Sequence, residues 1–316
     1  MGIWNIDGYK TQWPYLIDLQ KMTQFHHLMI QETNLNSCEV SNEKSNIEPD
    51  MTMAANCHDE QMSLSAQMSI RGKSIQGKGK GTAAVWRRDL PYDVTPPTQY
   101  GYVENLSILQ STFQGQTLTT IGVYCPTAGR EPEFRNYLAK LDSLIQQIRN
   151  KEGHLIIGGD WNISQNNNTN KNQERRKIMQ TLIKKHNLTE HKPDGDTYYS
   201  KGRNKATSSQ LDWILVSEGV KVTETRRMTF EVMPQGGDHI PVMYSVEIKI
   251  PPKQEGNANS QCEIDQETPS NYTNRKKNKM EPSGHPTLQN SCQVLCIQYQ
   301  GQNQGTQHTT PNQDSL

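Results

Sequence analysis

Apolar residues in the first 250 positions follow two different spacings, and each spacing predicts a type of element. Short apolar runs bounded by polar or glycine-containing segments predict strands. These runs occupy Gly2–Asn5, His27–Ile30, Thr82–Arg87, Leu106–Phe113, Thr117–Tyr124, His154–Ile157, Leu211–Val216 and Val242–Ile250. Some neighbouring runs are separated by short turns, which favours hairpin pairs and therefore antiparallel sheets.

Three further segments have apolar residues at helical spacing. They predict helices over Trp13–Gln24, Glu131–Asn150 and Glu174–His186. The clearest is the second, because Leu138 and Leu141 share one stripe with other apolar residues while lysine and glutamine occupy the remaining faces. The mixture of helices and strands predicts a layered α/β fold.

Two segments show neither spacing. Residues 37–76 are polar and aperiodic, and we interpret them as a flexible insertion or long loop. Met51 and Met53 lie in this segment without a helical stripe, and the pattern gives them no role. Residues 251–316 are rich in Gln, Asn, Ser and Thr and contain too few apolar residues to form a core. The chain is therefore divided into a domain at 1–250 and a disordered tail at 251–316.

Composition narrows the function classes. The formal net charge is +0, which weighs against a histone-like coat but allows a local basic rim. No signal peptide and no apolar run long enough to span a membrane is found, and the six cysteines are scattered, which predicts an intracellular protein with reduced thiols. The nucleus is one candidate compartment, although the basic cluster at 275–279 is better explained as a solvated charge run. No protein partner can be inferred.

Polar residues that end or interrupt apolar strands are the candidates for chemistry. Carboxylates and amides at strand ends meet at one rim of a sheet, where their oxygens can bind a hard divalent cation. A histidine beside carboxylates is suited to proton transfer or to stabilising a charged oxygen. Hydrolysis of a phosphate ester uses both elements. Six segments carry such residues: Trp4–Gly8, Gln31–Thr33, Tyr124–Pro126, Gly158–Asn162, Gln210–Trp213 and Gly237–His239.

In their amino acids and in their order along the chain, these six segments resemble the motifs of the endonuclease/exonuclease/phosphatase superfamily. That superfamily includes abasic-site endonucleases, pancreatic-type deoxyribonuclease and the endonuclease domains of non-long-terminal-repeat retrotransposons. The resemblance covers about Met1–Ile250. It implies a four-layer α/β sandwich in which helices flank two mostly antiparallel sheets.

The resemblance also implies a metal site. Glu32 matches the principal metal ligand of the family, and Asn5 and Asp7 match residues that lie beside the metal. Asp238 matches a second candidate ligand. The implied cofactor is Mg²⁺, with Mn²⁺ as the alternative ion.

The remaining matches imply catalytic roles. Tyr124 matches a tyrosine that contacts the scissile phosphate, and Asp160 matches the residue that orients or deprotonates the attacking water. Asn162 matches a residue that stabilises the transition state. Asp212 matches the aspartate that pairs with the catalytic histidine, here His239.

One glycine-rich segment outside these matches is a candidate for substrate binding. Residues 77–81 lack the spacing of a nucleotide-binding phosphate loop, and they read as a flexible entry to the next strand. Lys78 and Lys80 within it are candidates for contacts with a nucleic-acid backbone.

The function indicated is that of a Mg²⁺-dependent endonuclease that nicks DNA. The motif sequences are most similar to those of retrotransposon-type endonucleases. Three alternatives stay open. The first is an abasic-site repair endonuclease, the second a related phosphoesterase acting on RNA or a phosphoinositide, and the third an inactive relative that only binds nucleic acid.

Overall fold

A computed structural model describes residues 1–35, 50–56, 81–100, 105–151, 153–164, 169–201, 206–228, 237–249 and 294–296. The helices are α1 (Tyr9–Thr23), α2 (Glu131–Arg149) and α3 (Asn170–Lys185). The strands are β1 (Gly2–Asn5), β2 (His27–Gln31), β3 (Met51–Asn56), β4 (Thr82–Arg87), β5 (Asp93–Thr95), β6 (Leu106–Phe113), β7 (Gln116–Tyr124), β8 (His154–Asp160), β9 (Leu188–His191), β10 (Tyr198–Lys201), β11 (Ala206–Ser209), β12 (Asp212–Ser217), β13 (Val220–Arg227), β14 (Val242–Lys249) and β15 (Val294–Cys296).

Two large mixed sheets form the centre of the fold. The first has the strand order β13-β14-β1-β2-β4-β3, and the second has the order β5-β6-β7-β8-β12-β9. Within these orders β1 pairs with β2 and β7 with β8 in parallel, whereas the other neighbours are antiparallel. A separate two-stranded sheet joins β10 and β11. The predicted antiparallel-rich α/β architecture is confirmed.

Three apolar clusters define four layers. One cluster lies between the sheets and combines residues such as Ile3 and Met29 of the first sheet with Ile156 of the second. A second cluster packs α1 against the outer face of the first sheet. The third packs α2 and α3 against the outer face of the second sheet. Burying an apolar face of each element in this way is the main stabilising contribution to such a fold.

Most predicted elements are found, with shifted ends. Helix α1 begins at Tyr9, four residues before the predicted start. Tyr9 is fully buried and belongs to the apolar face of the helix. The prediction did not include it because the polar residues Lys10 and Thr11 follow it. Helix α3 likewise begins at Asn170 rather than at the predicted Glu174. The prediction missed its first turn because those residues are polar and add nothing to the apolar spacing.

The prediction for residues 37–76 is wrong at one place. Met51–Asn56 form β3, which pairs along its whole length with β4. Met51 and Met53 are buried while Thr52 between them is half-buried, so the informative spacing was two residues rather than the helical one. The remaining positions of the predicted insertion lie outside the described residues.

The predicted tail is described at one short segment. Val294–Cys296 pair with β14 in an antiparallel register. The other residues after Lys249 lie outside the described part of the chain, and the domain boundary at 250 stays a prediction. No helix in the described part is both long and apolar enough to cross a membrane.

The buried His27 predicts that acid will weaken the fold. Its side chain lies between the sheets, with Nε2 3.5 Å from Thr120 Oγ1, and burial holds its pKa well below the usual value. The folded state therefore stays neutral while the unfolded chain binds a proton below about pH 6.5, so the stabilising contribution present above that pH is lost as the pH falls. For one proton the slope is about 1.4 kcal/mol per pH unit.

Urea unfolding between about pH 7 and pH 5 checks this expectation. The His27→Gln variant should lose less stability on acidification than the natural chain. Thr120→Val removes the contact but no titrating group, so its pH dependence should match the natural chain. Equal slopes for the natural chain and His27→Gln would contradict the assignment.

Candidate active site

Three of the predicted site residues lie at neighbouring strand positions in the second sheet. Tyr124 ends β7 beside Asp160, which ends β8, and Asp212 begins β12 on the other side of Asp160. Gly159 precedes Asp160 with φ +148°, and a Cβ there would lie 2.1 Å from the carbonyl oxygen of Val123. Only glycine allows β7 and β8 to approach this closely beside Asp160.

The first sheet adds residues to the same rim. Asn5 ends β1, and Glu32 follows the last residue of β2. The side-chain amide nitrogen of Asn5 donates to Glu32 Oε1 at 2.9 Å and to Asp160 Oδ2 at 3.1 Å. Asn5 therefore links the carboxylates of the two sheets.

A buried histidine–aspartate pair stands at the centre of the rim. His239 lies just before β14, and its Nδ1 donates to Asp212 Oδ2 at 2.9 Å. Its Nε2 is directed toward Asp160, with Oδ2 at 3.7 Å. The ring packs against Tyr198 with centroids 4.9 Å apart, and Trp4 Nε1 donates to the His239 carbonyl oxygen at 3.3 Å. These contacts fix one orientation of the imidazole, in which Nε2 faces Asp160.

Burial and charge shift the titration of this group. Burial raises the pKa of the Asp160 carboxyl to about 7, and the negative charge of Asp212 adds to the effect. Burial alone would lower the pKa of His239, but the carboxylates of Asp212 and Asp160 outweigh it and raise the pKa to about 10. Shifted pKa values of this kind are common at functional sites.

Tyr124 and Asp238 lie at the edge of the same group. Burial raises the pKa of the Tyr124 phenol, and the neighbouring Glu32 carboxylate raises it further. Burial also raises the pKa of Asp238, whose Oδ1 lies 3.8 Å from His239 Nε2. The side chain of Asp238 is 40% exposed, so this carboxylate lies where the site meets solvent.

Asn162 ties two loops together below the rim. Its amide nitrogen donates to the carbonyl oxygen of Cys125 at 2.8 Å and lies 3.3 Å from Asp160 Oδ2, while its backbone N–H donates to Asp160 Oδ1 at 2.9 Å. Asn162 thereby orients Asp160. Its role in stabilising the transition state stays a prediction.

Three residues of the rim have a strained backbone conformation. Asp7, Glu32 and Asn162 have φ of 45°, 54° and 50°, in the left-handed region that few residues other than glycine adopt. Such conformations cost free energy and persist where the surrounding structure enforces them, often at functional sites. Asp7 is half-buried, and its backbone N–H donates to Asn5 Oδ1 at 3.3 Å.

Two sets of residues could hold a metal ion. Ligand atoms of Asp160, Asp212 and His239 lie within 4.8 Å of one another. However, His239 Nδ1 is already engaged by Asp212, so this nitrogen is not available as a metal ligand. Glu32 and Asp238, by contrast, supply carboxylate oxygens next to the opening, and such oxygens are the donors that hard divalent ions prefer. This set fits the predicted cofactor.

One buried residue that supports the pair was missed from the sequence. Thr197 precedes β10 and is fully buried. Its hydroxyl donates to Asp212 Oδ2 at 2.6 Å and accepts the backbone N–H groups of Leu211 and Asp212 at 3.0 and 3.1 Å. A threonine in a polar segment carries no distinct signal, so only the fold reveals this role.

The structure therefore brings the predicted residues to one rim, at the ends of strands from both sheets. Those placed together are Asn5, Glu32, Tyr124, Asp160, Asn162, Asp212, Asp238 and His239. Asp7 joins them through its backbone. Lys78 and Lys80 lie outside the described residues, and their predicted contacts are untested.

Comparison with models of known protein families gives a match over most of the chain. A model of the endonuclease/exonuclease/phosphatase family matches residues 4–239. No curated protein matches the chain in a sequence search.

Solved structures show the same fold at low sequence identity. The endonuclease domain of TRAS1, a telomere-specific non-LTR retrotransposon, is 15% identical with a TM-score of 0.54, covering 77% of this chain and 95% of that one. A Neisseria 3′ phosphatase, NExo, solved with a product DNA hairpin, is 17% identical with a TM-score of 0.54 over 77% and 97% of the chains. The AP endonuclease LMAP from Leishmania major is 17% identical with a TM-score of 0.54 over 77% and 86%.

Proposed function

Because the chain belongs to the endonuclease/exonuclease/phosphatase family, whose members hydrolyse phosphoester bonds, we propose that it is a divalent-metal-dependent endonuclease that nicks DNA. The observation that carries the proposal is the buried His239–Asp212 pair with the Asp160 carboxylate 3.7 Å from the outer imidazole nitrogen. A phosphodiester placed beside these two groups, at the rim, would meet a proton acceptor and a cationic donor at the same time.

The residues divide the work as follows. Asp160 accepts a proton from the water that attacks phosphorus, and Asn162 holds the carboxylate in place. As the new P–O bond forms and the bond to the leaving sugar oxygen breaks, negative charge grows on the non-bridging oxygens. The N–H at Nε2 of His239 is placed to donate to one of them, and Asp212 keeps the imidazole in that orientation.

Glu32, Asn5 and Asp238 are the residues that would hold the metal, with Asp7 beside them. When bound, a divalent ion such as Mg²⁺ neutralises charge on the phosphoryl oxygens. Asn5 positions Glu32 through its hydrogen bond at 2.9 Å. Tyr124, next to Glu32, is the candidate for a contact with the phosphate.

DNA is the proposed substrate because the similar structures are of enzymes described as acting on nucleic acid. One is a retrotransposon endonuclease domain, one an AP endonuclease, and one a 3′ phosphatase with a product DNA hairpin. A retrotransposon origin is part of the same proposal, and it is supported by the amino-acid sequences of the six motifs. Sequencing the genomic DNA that follows the segment encoding these residues tests it, since reverse-transcriptase sequence is expected there and unrelated sequence would argue against it.

A substrate panel tests the proposed activity. The full chain with Mg²⁺ is incubated with supercoiled plasmid, a duplex with one abasic site, a duplex with a 3′ phosphate and a matched RNA duplex. We expect relaxed plasmid with one nick per molecule. His154→Ala, which alters the opposite end of β8 from Asp160, should nick equally well.

The other outcomes point to specific alternatives. Cleavage of the abasic duplex at least about tenfold faster than that of intact duplex would indicate a lesion-specific enzyme. Release of inorganic phosphate without internal cleavage would indicate a phosphatase and would sink the endonuclease assignment. DNA binding without turnover, equal in the natural chain and Glu32→Ala, would indicate an inactive relative.

A further inference from the structure

We infer that Arg175 is a positioning residue that holds two loops of the active site in register. The inference deepens the proposed function and rests on it. Arg175 belongs to α3, on the outer side of the second sheet, and its side chain is 2% exposed. From this outer side it contacts the loops that follow β7 and β8.

The guanidinium group bonds to both loops. Its Nη1 donates to the carbonyl oxygens of Pro126 at 2.8 Å and Asn162 at 3.2 Å, and its Nη2 donates to that of Thr127 at 2.8 Å. Nε donates to Glu131 Oε2 at 2.7 Å. Four N–H···O contacts thus come from one planar group with five N–H donors.

Its surroundings compensate the buried charge. The pKa of Glu131 is held below its usual value by the hydrogen bond from Arg175, so this carboxylate supplies the counter-charge. Glu131 Oε1 also accepts the backbone N–H of Gly129, in the loop after β7. The ring of Phe134 lies 4.3 Å from the guanidinium carbon and forms a cation–π contact. The ion pair between the buried Arg175 and the partly exposed Glu131 is held in one geometry by these added contacts.

The two loops carry residues of the proposed mechanism. The loop after β7 begins directly after Tyr124, and the loop after β8 contains Asn162, which orients Asp160. The Asn162 side chain already bonds to Cys125 in the other loop at 2.8 Å. Arg175 adds a second link through the backbone, and the pair of links fixes where Asn162 and Tyr124 lie relative to Asp160.

Lysine cannot reproduce this arrangement. A guanidinium is a planar fork that can donate in several directions within one plane, whereas an ammonium is a compact point charge with three donors on a flexible stem. Arg175→Lys keeps the charge for Glu131 but loses part of the bonding to the three carbonyl oxygens. Arg175→Met keeps a similar stem and loses all of it.

The expected kinetic effect is on turnover. A displacement of about 1 Å in a site costs about 10²-fold in rate, so kcat for nicking should fall about 10²-fold in Arg175→Met. KM should stay within about threefold, because Arg175 lies behind the loops and touches no substrate. Arg175→Lys should recover part of kcat.

The control for a purely structural effect is Leu182→Ala. Leu182 lies on α3, is buried in the apolar cluster that packs α2 and α3 against the second sheet, and makes no hydrogen bond to either loop among the described residues. This variant should lower the melting temperature at least as much as Arg175→Met while keeping kcat within about threefold. Full kcat in Arg175→Met, or an equal loss of kcat in Leu182→Ala, would overturn the inference.

Amide hydrogen exchange separates this inference from the proposed activity. Residues 124–130 and 161–164 should exchange at least about tenfold faster in Arg175→Met than in the natural chain, and Leu182→Ala should leave them unchanged. If the natural chain fails to cleave DNA, the proposed function fails, and the exchange rates still decide whether Arg175 holds the loops. Unchanged exchange in Arg175→Met would overturn the inference whatever the activity.

Discussion

His239→Ala is expected to lower the rate of DNA nicking about 10³-fold, since acid–base and charge-stabilising groups each contribute effects of this size. The imidazole is buried and is oriented by Asp212, so that Nε2 is directed toward the rim. Alanine removes that donor and leaves the buried Asp212 carboxylate without the imidazole, although the hydroxyl of Thr197 still donates to it. Rates measured on supercoiled plasmid under saturating Mg²⁺ check the expectation.

The partner variant separates orientation from donation. Asp212→Asn keeps the shape but replaces the carboxylate that fixes the imidazole, so its loss should approach that of His239→Ala and the double variant should lose little more. His154→Ala removes a histidine from the far end of β8 and serves as the matched control. Nicking by His239→Ala at the rate of that control would show that the pair is not part of the reaction.

Asp160→Asn should also lower the nicking rate by about 10³-fold, because the amide cannot accept a proton from water. The substitution is nearly isosteric, and the backbone N–H of Asn162 can still donate to its oxygen. At the other carboxylate oxygen, an amide nitrogen would face the donating nitrogen of Asn5. We therefore expect a moderate fall in melting temperature beside the loss of activity.

A matched substitution elsewhere controls for the chemical change. Asp142 is a carboxylate on α2 that pairs with Lys185 and His186, away from the rim. Asp142→Asn should destabilise the fold at most slightly and leave nicking unchanged. If Asp160→Asn folds and retains at least about a tenth of the natural rate, the carboxylate is not the proton acceptor.

The sequence predicted the architecture well where burial is simple. Strand β2 is buried along its whole length, so it appears as a continuous apolar run. Strand β3 was missed, because its alternation of Met51 and Met53 with smaller residues lies within a polar stretch. Strand β13 was missed for a related reason, since it has a mainly charged exposed face. Short or half-exposed strands are set by their sheet neighbours, which a linear pattern does not contain.

The sequence likewise predicted some residues of the site and missed others. Residues such as Glu32 and Asp160 stand out because a charge directly follows or ends an apolar run. Thr197 and Arg175 do not stand out, because they act from positions that are distant in the chain and ordinary in composition. Their hydrogen bonds join elements that only the tertiary fold brings together. The residues that form the site can thus be predicted from the ends of strands, whereas the residues that hold them in position are identified only from the structure.

Cleavage of DNA at this rim, with a divalent ion held at Glu32, is tested most directly by the initial rate of plasmid nicking by the full chain. The rate is measured across a Mg²⁺ titration for the natural chain and for Glu32→Gln, with EDTA as the blank. We expect saturable Mg²⁺-dependent nicking, no nicking in EDTA, and a shift to at least about tenfold higher Mg²⁺ in Glu32→Gln. A folded chain that leaves the plasmid supercoiled at every Mg²⁺ concentration, or that nicks it equally in EDTA, would show that the rim does not cleave DNA in this way.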